Sequence, residues 1–207
     1  MTSDPTTWTD LKAELALWID RDDLAARIPV FIALAERKFN RVLRVPEMEA
    51  AATLSLNAAT ISLPADFLAM RAIHIASDPK VVLEQMGLDA LRNLHAGAAT
   101  GKPRHFAIQA GTLVLGPAPD GAYSAAMTYF QAIPALGAGQ ASNWLLAGHP
   151  DIYLYGSLIM AESYMVNDGR IAVWKLALEE ALEELRRQGH RKSWGAAPIR
   201  VRAAQAV

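Results

Sequence analysis

The side chains able to do chemistry are few and widely spaced. Histidines stand at His74, His95, His105, His149 and His190, without an HExxH or an i,i+4 pair that would hold zinc from one helix face. Asp20, Asp22 and Asp23 cluster like a cation loop, yet no glycine-turned loop or distal bidentate Glu accompanies them. Their place ahead of residues 24–27 is that of an N-cap and first-turn carboxylates. Residues 97–103, GAATGKP, imitate a phosphate loop, but the glycines are one residue too close and Pro103 stands where a magnesium-binding hydroxyl is needed. Residues 137–142 lack the third glycine and the βαβ setting of a dinucleotide fingerprint. Ser157 follows Gly156 inside a helical pattern, away from the strand-to-helix elbow that exposes a nucleophile. Glu179, Glu180, Glu183 and Glu184 share an outer helix face, with Glu183 and Arg187 at i,i+4 spacing. Hydrolytic carboxylates instead oppose each other across a cleft. The sequence therefore assigns no catalytic residue, no metal ligand and no cofactor.

The elements that would have to position such residues are clearer. Residues 152–166 place Leu154, Leu158, Ala161 and Met165 on one helix face, Tyr153, Met160 and Tyr164 on a second, and Ile152, Tyr155 and Ile159 on a third. Glu162 is the one charge in that run, and Pro150 suits the first helical turn. A helix apolar on every side has to be enclosed, by its own chain or by its oligomer. A second, amphipathic helix follows, with Asp168 as N-cap and Ile171, Trp174, Leu178, Ala181 and Leu185 inward. Near the start, residues 9–20 read as a helix burying Leu11, Leu15, Trp18 and Ile19. Pro29 opens another that runs to Arg44, with Phe31, Leu34, Ala35, Phe39, Val42 and Leu43 on one face and Arg37, Arg41 and Arg44 on another. Lys38 falls inside the apolar face, where it must snorkel or find a carboxylate, and the expected buried ion pair joins Glu162 to Lys38 or to an arginine of that same helix.

Between these helices the period changes from helical to alternating. Leu54 and Leu56, then Ile61 and Leu63 beyond the turn-prone Asn57, predict a hairpin. RAIHIA, VVLEQ, RHFAIQ, TLVLG and AYSAAMTYF continue the strands, residues 88–95 form a helix among them, Gln109-Ala110-Gly111 is a tight turn, and residues 116–121 are a loop. Residues 133–142, rich in Ala and Gly, connect back to the helices. The expected class is α+β. Residues 1–45 and 137–188 form a helical bundle, residues 46–136 a β-rich insertion, and residues 189–207 an extended basic C-terminal arm, in which Gly189, Gly195 and Pro198 oppose a continuing helix.

Composition narrows the setting. A chain of 207 residues that is 52% hydrophobic can bury a sizeable core. MTSDPTTWTD has neither the basic nor the apolar region of a signal peptide, and no uncharged apolar run approaches the roughly 20 residues of a membrane span. The absence of cysteine excludes disulfides and thiolate metal sites and is compatible with assembly in a reducing cytoplasm. All 21 acidic residues lie at or before Glu184, as do all but six of the 20 Lys and Arg, leaving −7 up to that point and +6 beyond it. Such a tail is either a solvated terminus or an arm for an acidic partner, protein or nucleic acid.

Three blocks carry a resemblance to a family: LWIDRDDLAARIPVFIALAERKFNRVLRV (residues 17–45), LSLNAATISLPADFLAMRAI (residues 54–73), and GPAPDG continuing to NWLLAGHPDIYLYGSLIMAESYMVNDGRIAVW, which ends at Trp174. In this order they resemble the head-to-tail adaptor (connector) proteins of tailed bacteriophages, especially those of short-tailed phages. The resemblance implies a non-enzymatic virion protein at the head-tail junction, assembled in the host cytoplasm. It would form a homo-oligomeric ring, commonly twelvefold, beneath the portal protein, extending the channel for packaged double-stranded DNA and docking a tail or nozzle protein, with no membrane partner. It also implies that the C-terminal arm meets the portal, through Trp194, Ile199, Arg200, Val201 and Arg202. A reading of a different class is a nucleic-acid-binding module built on the basic tail and the arginines of residues 37–44, against which stand the acidic body and the lack of aromatics interleaved with the cations. A hydrolase is a third reading.

Overall fold

Pro150 opens the helix around which the helical elements gather. In the computed structural model, which describes residues 4–97, 100–165 and 168–194, helices α1 (Trp8–Ile19), α2 (Ile28–Val42), α4 (Trp144–Gly148) and α6 (Asp168–Trp194) all pack on α5 (Pro150–Met165). The chain itself supplies much of the enclosure that an all-round apolar helix requires: Ile152, Tyr153, Leu158, Ile159 and Ala161 are buried, while Tyr164 stays exposed. Gly156 permits the closest approach, since a Cβ there would stand 2.5 Å from the Phe39 ring and 3.3 Å from Ala35 Cβ. Phe31 meets Tyr164 and Phe39 meets Tyr153, so α2 runs antiparallel to α5. Trp174 stacks on Tyr155 while Arg170 lies beside Glu162, so α6 is antiparallel to α5 as well.

Local signals set the helix ends. Thr7 and Asp10 form a reciprocal capping box at the start of α1, and Asp20 closes it in the left-handed region at φ 51°. Residues Asp22–Arg27 form a 3₁₀ turn into α2, and Asn143 caps α4 by accepting from the Leu146 N–H. The capping role expected of Asp168 rests on a side chain outside the described ones.

The chain divides into two compact units, Met1–Glu47 with Ile133–Val207, and Met48–Ala132. The second holds two four-stranded sheets. One has the order β1 (Glu49–Leu56), β8 (Tyr123–Gln131), β3 (Phe67–Ile75), β4 (Val81–Val82); the other β2 (Thr60–Ser62), β7 (Thr112–Gly116), β6 (His105–Gln109), β5 (Glu84–Gln85), with α3 (Leu88–Leu94) between β5 and β6 in the chain. Alternate side chains of both sheets, among them Leu56, Ile73, Met127, Phe106 and Leu113, build one core. The tight turn at residues 109–111 is present. Gln109 pairs with Thr112, and Ala110 and Gly111 take φ 45° and 76°, the two positive values of a type I′ hairpin.

Two expectations are corrected. The hairpin expected at residues 54–63 does not form: β1 pairs along its whole length with β8, from Glu49↔Phe130 to Leu56↔Tyr123, while β2 pairs with β7 in the other sheet. Eight long-range pairs outweigh a local turn signal, and the segment at Asn57 carries the chain from one sheet to the other. The extended backbone expected from residue 189 is likewise not found over residues 189–194, because α6 continues through Gly189 to Trp194. Gly189 is a close-approach residue: it is buried, and a Cβ there would stand 2.8 Å from Pro46 Cδ. The helical penalty of about 1 kcal/mol for glycine is outweighed by packing that no larger residue permits.

Candidate functional site

The most specific polar construction lies inside the helical unit, where α2 holds the connector that leads to α4. Glu36 is buried on α2, and its Oε1 accepts hydrogen bonds from the Leu136 N–H at 2.8 Å and the Tyr153 hydroxyl at 3.1 Å. Asn143 donates to the Tyr153 hydroxyl and to the Pro134 carbonyl, both at 2.7 Å. One turn further along α2, Asn40 accepts from the Ile133 N–H at 2.8 Å. The far end of the connector is tied to the N-terminal segment, the Trp8 N–H donating to the Ala141 carbonyl and the Ser142 hydroxyl to the Thr6 carbonyl. Burial pushes the Glu36 carboxyl above its ordinary pKa despite the two bonds it accepts, and burial with the neighbouring Glu36 carboxylate raises the Tyr153 phenol. This network fixes a backbone path; it presents no group to a substrate. Glu36 was legible as a buried acid, being four residues after Ile32 and three before Phe39, yet the singled-out charge on this helix was Lys38.

Lys38 is half-buried and takes part in no ion pair among the described residues. Glu162 is 2% exposed, and the cation beside it is Arg170, whose Nη1 lies 3.6 Å from Oε1. The antiparallel α5–α6 hairpin thus brings its own arginine to the carboxylate, where helical spacing suggested a partner on α2. The other oxygen of Glu162 has no hydrogen-bond partner among the described residues.

The C-terminal part of α6 is bound back onto α2 and the residues after it. Arg186 donates to the Val42 carbonyl at 3.1 Å, and Lys192 pairs with Glu47 at 2.5 Å. Burial works to raise Glu47, but Lys192 and the backbone carry it below its ordinary value. Trp194 ends the helix with its side chain outside the described ones, and Ile199, Arg200, Val201 and Arg202 lie outside the described residues. Glu183 and Glu184 are exposed, and they pair with Arg186 and Arg187 at i,i+3, at 3.6 and 3.3 Å, in place of the expected Glu183–Arg187 pair.

Arg37 and Arg41 stay exposed on the outer face of α2, while Arg44 folds back to donate to the Asn40 and Leu43 carbonyls at the helix end. Ser157 is sealed in the core, its hydroxyl without a hydrogen-bond partner among the described residues. The GAATGKP segment joins α3 to β6 and so lacks the strand-to-helix setting of a phosphate loop. His95 and His105, ten residues apart, do meet, Nε2 to Nδ1 at 3.1 Å, a contact that periodicity could not announce. Among the described residues no three His, Asp or Glu side chains converge as a metal-ligand set, and no helix is long and apolar enough to cross a membrane.

The sequence model of one family, described as SU10 adaptor protein, matches residues 6–202. No curated protein matches the chain.

Proposed function

Because the chain belongs to the SU10 adaptor protein family, a family of phage head-to-tail adaptors, we propose that it is a virion structural protein assembling as a twelvefold homo-oligomeric ring beneath the portal. The ring extends the channel for packaged double-stranded DNA and docks the tail or nozzle protein, and the protein works by assembly, without catalysis or cofactor. The observation that carries this reading is the extent of the family match, residues 6–202, which takes in both compact units. In this reading the helical segments, residues 1–45 and 137–188, form the body of the ring, and residues 46–136 are a β-rich insertion. The basic segment, residues 189–207, is the portal arm; its first turns are helical, and the residues offered to the portal are Trp194, Ile199, Arg200, Val201 and Arg202. The acidic body, −7 through Glu184, repels duplex phosphates and lets DNA slide past it.

The test is reconstitution. Purified protein mixed with the portal of the same phage and imaged by electron microscopy should give a ring stacked on the portal. A protein that ignores the portal yet shifts duplex DNA at physiological salt would replace this reading with the nucleic-acid-binding module.

A further inference from the structure

Two exposed helix faces of this chain are complementary to each other. On α2 the outward positions are Val30, Leu34, Arg37 and Arg41; on α6 they are Val173, Leu176, Glu180 and Glu184. The four apolar side chains are 48%, 41%, 59% and 60% exposed, a strong departure from the burial their chemistry favours. Arg37, Arg41 and Glu180 have no ion-pair partner among the described residues, and Glu184 has only the exposed same-helix Arg187. Each face begins apolar at its N-terminal end and becomes charged toward its C-terminal end, basic on α2 and acidic on α6. The spacings agree: Val30 and Arg41 are eleven positions apart, as are Val173 and Glu184, about 16 Å along either axis.

The geometry points to an intersubunit contact in which the α2 outer face of one copy packs on the α6 outer face of the next, apolar end on apolar end and Arg37 and Arg41 against Glu180 and Glu184. Helix direction selects this arrangement. Both helices run antiparallel to α5, hence parallel to each other. A rotation about an axis along these helices keeps their directions, so a neighbour's α6 meets α2 in the parallel sense that complementarity demands. An isologous twofold across the helices would reverse one of them and set arginines on valine and leucine. Since the two faces differ, the contact is heterologous and repeats around a ring. The assignment rests on the ring reading above and specifies which surfaces close it.

The chain has no cysteine, so a Leu34→Cys, Leu176→Cys double variant reports this contact alone. Oxidised during assembly with the portal of the same phage, it should give a ladder of covalent oligomers, while either single variant gives none. Two charge-reversal variants supply a second readout: Arg37→Glu with Arg41→Glu, and Glu180→Arg with Glu184→Arg. Each alone should assemble at least about tenfold more weakly, with helical content unchanged by circular dichroism. Mixed one to one they should recover, because every contact in an alternating ring then joins opposite charges. If the wild type forms rings while the double-cysteine variant gives no ladder and the reversed variants assemble normally, the face assignment is wrong and the ring reading stands. If the wild type never self-associates, even on the portal, both fall.

Discussion

Glu36 makes a prediction whose sign depends on the buried network. Its carboxyl is held above the ordinary pKa by burial, so the folded state binds that proton more tightly than the unfolded chain. The stability it contributes is therefore complete below the unfolded value near 4.5, and is lost as pH rises through the raised folded value. At neutral pH the charged form is a liability kept in place by the bonds from Leu136 and Tyr153. Glu36→Gln keeps an accepting oxygen and removes the charge; Glu36→Ala removes the oxygen, leaving the Leu136 N–H unsatisfied and the Tyr153 hydroxyl without an acceptor. An orphaned buried donor costs about 1–3 kcal/mol, so the alanine variant should lose about 3 kcal/mol at pH 7, or roughly 6–12 °C in Tm for a chain of this size. The glutamine variant should equal or exceed the wild type there, with an advantage that fades to near zero at pH 4.5. Urea unfolding of all three proteins between pH 4 and 8 measures this, and the pairwise difference cancels titration elsewhere. A glutamine variant as unstable as alanine at pH 7, or a difference that does not vary with pH, would refute the reasoning.

Gly189→Ala should destabilise by about 1–3 kcal/mol in thermal melts even though alanine is the better helix former, because its Cβ meets Pro46. Gly156→Ala should cost as much or more, the Phe39 ring having to move from a 2.5 Å contact; the checking measurement is chemical denaturation. Arg170→Ala should lower stability by about 1 kcal/mol, less than a fully buried pair would give, since the arginine is largely exposed; a matching loss from Lys38→Ala would restore the α2 partner. Truncation after Trp194 should leave the melting temperature unchanged and abolish stable attachment to portal, and Arg200→Glu with Arg202→Glu should weaken attachment in a salt-sensitive way. Unchanged portal affinity of the truncated protein in a pull-down would remove the arm from the mechanism.

Helices and most strands were legible because their hydrophobic periods are long and consistent: Leu11 and Leu15, Phe31 and Phe39, and Leu178 and Leu185 are buried as expected, whereas Trp18, Leu34 and Val42, assigned to the same inner faces, lie at their edges and stay exposed. The type I′ turn was legible because Ala110-Gly111 lies between two alternating runs. Illegible were facts that depend on distant partners. Residues 54–63 look like a hairpin until β8 and β7 compete for the two strands, and nothing local ranks those pairings. Gly189 read as a helix breaker because the proximity of Pro46 is invisible in one dimension. Glu162 could be recognised as a charge needing a partner, but that Arg170 rather than Lys38 lies beside it follows from how α6 packs on α5, which helical spacing does not give.

The fate of the basic residues shows why charge asymmetry alone could not decide between a frayed tail and an arm. Of the six cations after Glu184, Arg186 caps the end of α2 and pairs with Glu183, Arg187 pairs with Glu184, and Lys192 pairs with Glu47. Half of the excess is thus answered within the helical unit, where Arg186 and Lys192 tie the last turns of α6 to the chain around Val42 and Glu47. Those contacts, with Gly189 packed on Pro46, make the final turns a structural part of α6. In the proposed reading the portal arm, residues 189–207, is thus rooted in a fixed helix end through Trp194. A short arm leaving a rigid base loses less conformational entropy on docking than one that frays from residue 189, so fewer contacts are needed to hold it.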